Sequence, residues 1–71
     1  MTGNFNIYAV VYDWDDEEID RGLMCKTSDK DGAENICATM NDLEDQIFEL
    51  MGRHNYQEVN DNYTIYTVVE E

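Results

Sequence analysis

Proline is absent from the 71 residues, which excludes a polyproline ligand and a Pro-rich linker. Basic residues are scarce: four Lys and Arg stand against 17 Asp and Glu, a net charge of −13. A nucleic-acid binder needs cations for phosphates, and a protein held electrostatically on an anionic membrane needs them for headgroups. Both classes are excluded by this balance, whereas a partner that itself binds nucleic acid is not. No apolar run approaches 18 residues, so no membrane-spanning helix is expected. Met1 to Asn4 carry no basic residue and no apolar stretch follows, so no secretory signal is expected.

Cysteine is limited to Cys25 and Cys37. A disulfide-stapled small protein usually has four or more, so two reduced thiols are expected, consistent with the cytoplasm. Histidine occurs once, at His54, too few with these cysteines for a zinc site or a nucleophile–base pair. The four glycines are scattered at 3, 22, 32 and 52 and form no phosphate cradle. Asp13-x-Asp15-x-Glu17 resembles the opening of a calcium loop. That pattern requires Gly at the sixth position and Glu at the twelfth, where Glu18 and Met24 stand. No catalytic residue, metal site or cofactor is expected.

Apolar residues nevertheless make up 42% and aromatics 11%, too many for a disordered acidic tail. A single folded domain, 1–71, is expected. Residues 5–12, Phe-Asn-Ile-Tyr-Ala-Val-Val-Tyr, are β-branched and aromatic and predict a strand, as do residues 63–69. Residues 13–20 hold six acids and predict a hairpin loop. Residues 21–27 predict a weaker strand, with Gly22 as a candidate bulge.

Residues 28–52 predict a helix. Ser28, Asp29 and Asp31 are candidate caps, and Gly52 is the terminator. Its apolar stripe runs Ala33, Ile36, Cys37, Met40, Leu43, Ile47, Leu50 and Met51, with Phe48 at the edge. Ile36, Met40, Leu43, Ile47 and Leu50 are expected to be buried. Tyr56 to Val59 reads as a short extended piece. The expected fold is α+β, a small antiparallel sheet in the order ββαβ or ββαββ. One amphipathic helix lies across a face, and the first and last strands are neighbours.

The acids are more organised than solubility requires. The run 13–20 supplies Asp13, Asp15, Asp16, Glu17, Glu18 and Asp20, with Trp14 among them. On the helix, Asp42, Asp45 and Glu49 share a face with Glu34, and no Lys or Arg occurs from 31 to 52. Along the axis Asp42, Asp45 and Glu49 step by roughly 4.5 and 6 Å. One strand of B-DNA places phosphates about 3.4 Å apart, a spacing of the same order. Trp14 is either folded back onto the sheet or a binding anchor, since Trp and Tyr dominate hot spots.

In size, charge and element order the chain resembles the small acidic phage-encoded inhibitors of host nucleic-acid machinery, including anti-restriction and anti-CRISPR proteins that mimic DNA. Phage inhibitors of RNA polymerase and nucleases are similar in scale. The resemblance implies a stoichiometric, cofactor-free inhibitor in the host cytoplasm. Its partner would be a host nucleic-acid-binding protein with a basic surface, and it would contact neither nucleic acid nor membrane directly. A monomer is favoured because charge opposes self-association, with a homodimer through an apolar sheet face as the alternative. The rival readings are an acidic accessory domain for a partner unrelated to nucleic acid, and an inhibitor that acts without mimicry.

Overall fold

The computed structural model describes residues 4–71; the expectation drawn from Met1 to Gly3 lies outside them. Three strands form an antiparallel sheet in the order β2-β1-β3. The central strand β1 spans Phe5–Asp13, β2 spans Glu18–Thr27 and β3 spans Asn62–Glu70. The expected α+β fold is present, with the last strand beside the first. Phe5 pairs with Glu70 and Asp13 with Asn62, in unbroken register. A strand apolar on both faces suits this central place: Ile7 is fully buried towards the helix side, and Val10 is buried as well.

The β1–β2 hairpin corrects the expected loop 13–20. The turn is tight: Asp16 donates its backbone N–H to the Asp13 carbonyl, and Asp13 donates its own to Glu17. Asp16 sits at φ 64, a left-handed conformation that Asp tolerates better than most residues. Glu18, Ile19 and Asp20 therefore lie in β2 instead of a loop. An edge strand with exposed side chains can carry charge, and charge there discourages pairing with another chain. The bulge expected at Gly22 is also corrected, since Gly22 pairs with Ala9 in register. The extra residues are Met24, between the pairs Ile7–Cys25 and Tyr8–Leu23, and Ile19, between Val11–Asp20 and Tyr12–Glu18. The Met24 bulge lets Cys25 face the core while the strand beyond it keeps pairing with β1.

Helix α1 runs Lys30–Met51, with Asp29 at its N-cap. The Asp29 carbonyl accepts the first helical bond, from Ala33. Gly52, at φ 81, ends the helix as expected and donates its N–H to the Phe48 carbonyl. The chain then turns into a second helix, α2, at Arg53–Val59. The extended piece expected over 56–59 is thus helical, because Tyr56 supplies a buried anchor after the Gly52 break. Asn60 closes α2 by donating both its backbone N–H and its side-chain amide to the Tyr56 carbonyl.

The core between helix and sheet is small. Ile7, Ala33 and Cys37 form its centre, with Phe5, Cys25, Tyr66 and Val68 around them. The buried face of α1 continues through the partly buried Asn41, Glu44 and Phe48. The expected buried stripe is therefore misplaced by about a quarter turn. Ile36, Leu43, Ile47 and Leu50 are 40%, 48%, 44% and 88% exposed, and Met40 is only partly buried. Two features set this rotation. Ala33 and Cys37 are small and let the helix approach the sheet closely. Asn41 donates to the Tyr66 carbonyl at 3.0 Å and accepts from the Tyr66 N–H at 2.8 Å. Those are the groups a fourth strand would take from the open edge of β3, so Asn41 both fixes the helix and blocks that edge.

Candidate functional site

The hairpin turn is held from within by its first acid. The Asp13 carboxylate accepts the backbone N–H groups of Asp15 and Glu17, at 2.9 and 3.0 Å. This leaves Asp13 partly buried and turns Asp15 and Glu17 into solvent. Asp16 is directed across the sheet end and accepts the Tyr63 hydroxyl at 2.6 Å. That bond holds the Tyr63 proton and pushes its pKa up to about 12. In β2, Glu18 is engaged by the Arg21 guanidinium at 2.6 and 3.2 Å, a bond that lowers the Glu18 pKa. Asp20 accepts the Arg21 backbone N–H. The six acids of the run thus divide: Asp13, Asp16, Glu18 and Asp20 have partners within the chain, and the exposed carboxylates of Asp15 and Glu17 have none among the described residues.

Trp14 folds back. Its indole N–H donates to the Asn60 carbonyl at 2.9 Å. Its ring meets the edge of Tyr56 at 5.9 Å and tilts against Tyr63 at 5.3 Å. Tyr63 stacks in turn on its cross-strand partner Tyr12 at 5.4 Å, and Phe48 leans on Tyr56 at 5.2 Å. Ring pairs at such distances and angles add stability beyond area burial. This aromatic cluster locks the hairpin turn to α2 and to the start of β3. Trp14 remains only partly buried, so one side of the ring is open.

That open side belongs to a cleft of about 500 Å³ between the turn, α1 and the edge of β3. Trp14, Phe48, Tyr56 and Tyr63 form its aromatic walls, and Asp16, Glu44 and Asp45 bring carboxylates to it. Arg53 is the one basic residue in the lining. Glu44 lies 3.5 Å from the Tyr56 hydroxyl. Burial and the Glu44 charge raise the pKa of Tyr56 and of Tyr66. Both hydroxyls consequently stay neutral over the ordinary pH range and do not add negative charge. Aromatic faces with carboxylates at the rim suit an organic cation, such as a Lys or Arg side chain of a partner.

The structure therefore brings Trp14, Asp16 and Asp45 together. Asp42 and Glu49 are exposed on α1 but do not line the cleft, and neither forms an ion pair among the described residues. They extend the acidic surface along the helix. Glu44, Phe48, Tyr56, Tyr63 and Arg53 are site residues that the sequence reading did not assign. Tyr63 lies in the strand expected over 63–69 and Phe48 at the edge of the helical stripe, but neither position pointed to a site. Among the described residues no group of three His, Cys, Asp or Glu side chains is gathered to hold a metal ion. His54 is exposed and lies 2.9 Å from Glu58 one turn on. Cys25 and Cys37 are free thiols, the second buried with its pKa raised by desolvation. No described helix is long and apolar enough to cross a membrane. No family model matches the chain, and neither a curated protein nor a solved structure matches it.

Proposed function

We propose that the protein is a stoichiometric inhibitor that occupies the basic nucleic-acid-binding surface of a host enzyme, its carboxylates standing where phosphates would lie. The observation that carries this reading is the convergence of Asp16 and Asp45, from distant parts of the chain, on one aromatic-walled cleft. Exposed carboxylates at Asp15 and Glu17 flank it on the turn, and Asp42 and Glu49 extend along α1. Opposite potentials steer the encounter, and one partner Lys or Arg enters the cleft against Trp14 and Tyr56. Anti-restriction and anti-CRISPR inhibitors of phage origin are the class this mechanism fits, and the host cytoplasm is the compartment it requires.

The test starts from the immobilised protein in a bacterial host lysate, with captured proteins identified and purified. The reading expects a nucleic-acid enzyme with a basic channel. Reversing Asp15 and Glu17 to Lys, which breaks no side-chain bond among the described residues, should slow association more than it speeds dissociation. Trp14→Ala should chiefly raise the dissociation rate. A captured partner without nucleic-acid function transfers the site to the accessory-domain reading.

A further inference from the structure

The aromatic wall of the cleft is continuous. Tyr63 meets Trp14 at 5.3 Å, Trp14 meets Tyr56 at 5.9 Å and Tyr56 meets Phe48 at 5.2 Å, centroid to centroid. A cage for a quaternary ammonium group needs several free ring faces turned on one point. Here every contact between rings covers part of a face, and what stays open is one side of the partly buried Trp14. One open face suits a flat cation stacked upon it. We propose that the cleft is an arginine site, which takes a guanidinium group against Trp14 and discriminates it from the ammonium group of lysine. This rests on the reading of the cleft as a cation site and adds which cation it selects.

The carboxylates favour the same choice. Asp45, on α1, has no hydrogen bond or ion pair among the described residues. Asp16, on the turn, gives one oxygen to the Tyr63 hydroxyl and keeps the other. Glu44 stands 3.5 Å from the Tyr56 hydroxyl, at the limit of a hydrogen bond. Acceptors therefore reach the cleft from two elements. A guanidinium carries five N–H donors spread around a plane, so it can stack by its face and donate from its edge to separate carboxylates. An ammonium gathers three donors at one point and is more strongly hydrated, so it gives up more water for fewer contacts. Arg53 also lines the cleft, but it forms no ion pair among the described residues. The carboxylates are thus left for an entering cation, which the Arg53 charge opposes.

Trp14 is the only tryptophan, so its fluorescence reports on the cleft without a label. The full chain is titrated with three blocked tripeptides, acetyl-Gly-X-Gly-amide, where X is arginine, lysine or citrulline, into the millimolar range at constant ionic strength. Citrulline keeps the planar shape of arginine and lacks its charge. The arginine peptide should bind at least about 5-fold tighter than the lysine peptide, the worth of one exposed stacking contact. The citrulline peptide should give no saturable change. Asp45→Asn should weaken arginine binding about 10-fold, the loss of one charge-assisted hydrogen bond. Glu34→Gln, the same loss of charge at an exposed position of α1 outside the cleft, is the control and should change it less than about twofold. Arg53→Ala should tighten binding by about twofold, a direction that damage to the fold would not produce.

Equal affinity for arginine and lysine, a citrulline peptide that binds as well as arginine, or no saturable change with any peptide overturns the proposal. So does an Asp45→Asn chain that binds as tightly as Glu34→Gln. The ranking is read on the protein alone, so it stands or falls separately from the displacement of a partner by DNA, which tests the inhibitor reading.

Discussion

Replacing Asn41 by Ala removes two hydrogen bonds, to the Tyr66 carbonyl at 3.0 Å and from the Tyr66 N–H at 2.8 Å. Each such bond contributes about 1 kcal/mol net, and water reaches the freed groups at the sheet edge only in part. The expected loss is about 2 kcal/mol, out of roughly 4–10 kcal/mol for a domain of this length. In a domain this small, 1 kcal/mol shifts Tm by about 4–8 °C, so the melting midpoint should fall by about 8–16 °C. Thermal and urea unfolding followed by circular dichroism read both quantities. Asn35→Ala, at an exposed position on the other side of the same helix, is the control and should stay within about 0.5 kcal/mol. The freed β3 edge should also make the Asn41 variant more prone to aggregate. An Asn41→Ala chain as stable as Asn35→Ala would refute the argument that this side chain fixes the rotation of α1.

The small core sets a second contrast: Ile7→Ala should cost about 2–5 kcal/mol in urea unfolding. Ile19→Ala, on the exposed edge strand, should cost less than about 0.5 kcal/mol. The Asp16–Tyr63 bond makes a pH prediction. A Tyr pKa raised in the fold contributes stability that is complete below the ordinary value near 10 and is lost as pH rises through about 12. Ultraviolet titration should show one of the five tyrosines ionising last, and Asp16→Asn, which tolerates the left-handed backbone, should bring it back towards 10. A last tyrosine unaffected by Asp16→Asn would exclude that bond. Alkylation of native protein should modify Cys25 before the buried Cys37, and denatured, unreduced protein should take up two equivalents. Recovery of a bridged chain from material never exposed to oxidant would contradict the free thiols.

The strands β1 and β3 were legible because β-branched and aromatic residues fill them, and α1 was legible from its three- and four-residue spacing. Its rotation was not. The apolar positions cover about half the helix circumference, and either half satisfies the pattern. The choice was made by the small Ala33 and Cys37 and by Asn41, a polar residue that a hydrophobicity argument sends outward. Glu18 to Asp20 hid their strand because an edge strand exposed to water needs no apolar signature. Tyr56 to Val59 hid a helix because seven residues after a glycine break are too short for periodicity to speak. The acidic run and Trp14 stood out in the sequence, but the cleft did not. It depends on Trp14 folding back onto Tyr56 and Tyr63, and on Asp16 and Asp45, far apart along the chain, lining the same cleft.

We propose that this surface takes the place of nucleic acid on its partner. The direct measurement is the equilibrium between the protein and its captured partner, titrated with duplex DNA. The account predicts mutual exclusion: the apparent Kd rises in proportion to DNA concentration, and saturating DNA releases all of the bound protein. A complex that stays intact in saturating DNA, or a ternary complex of all three, would contradict it.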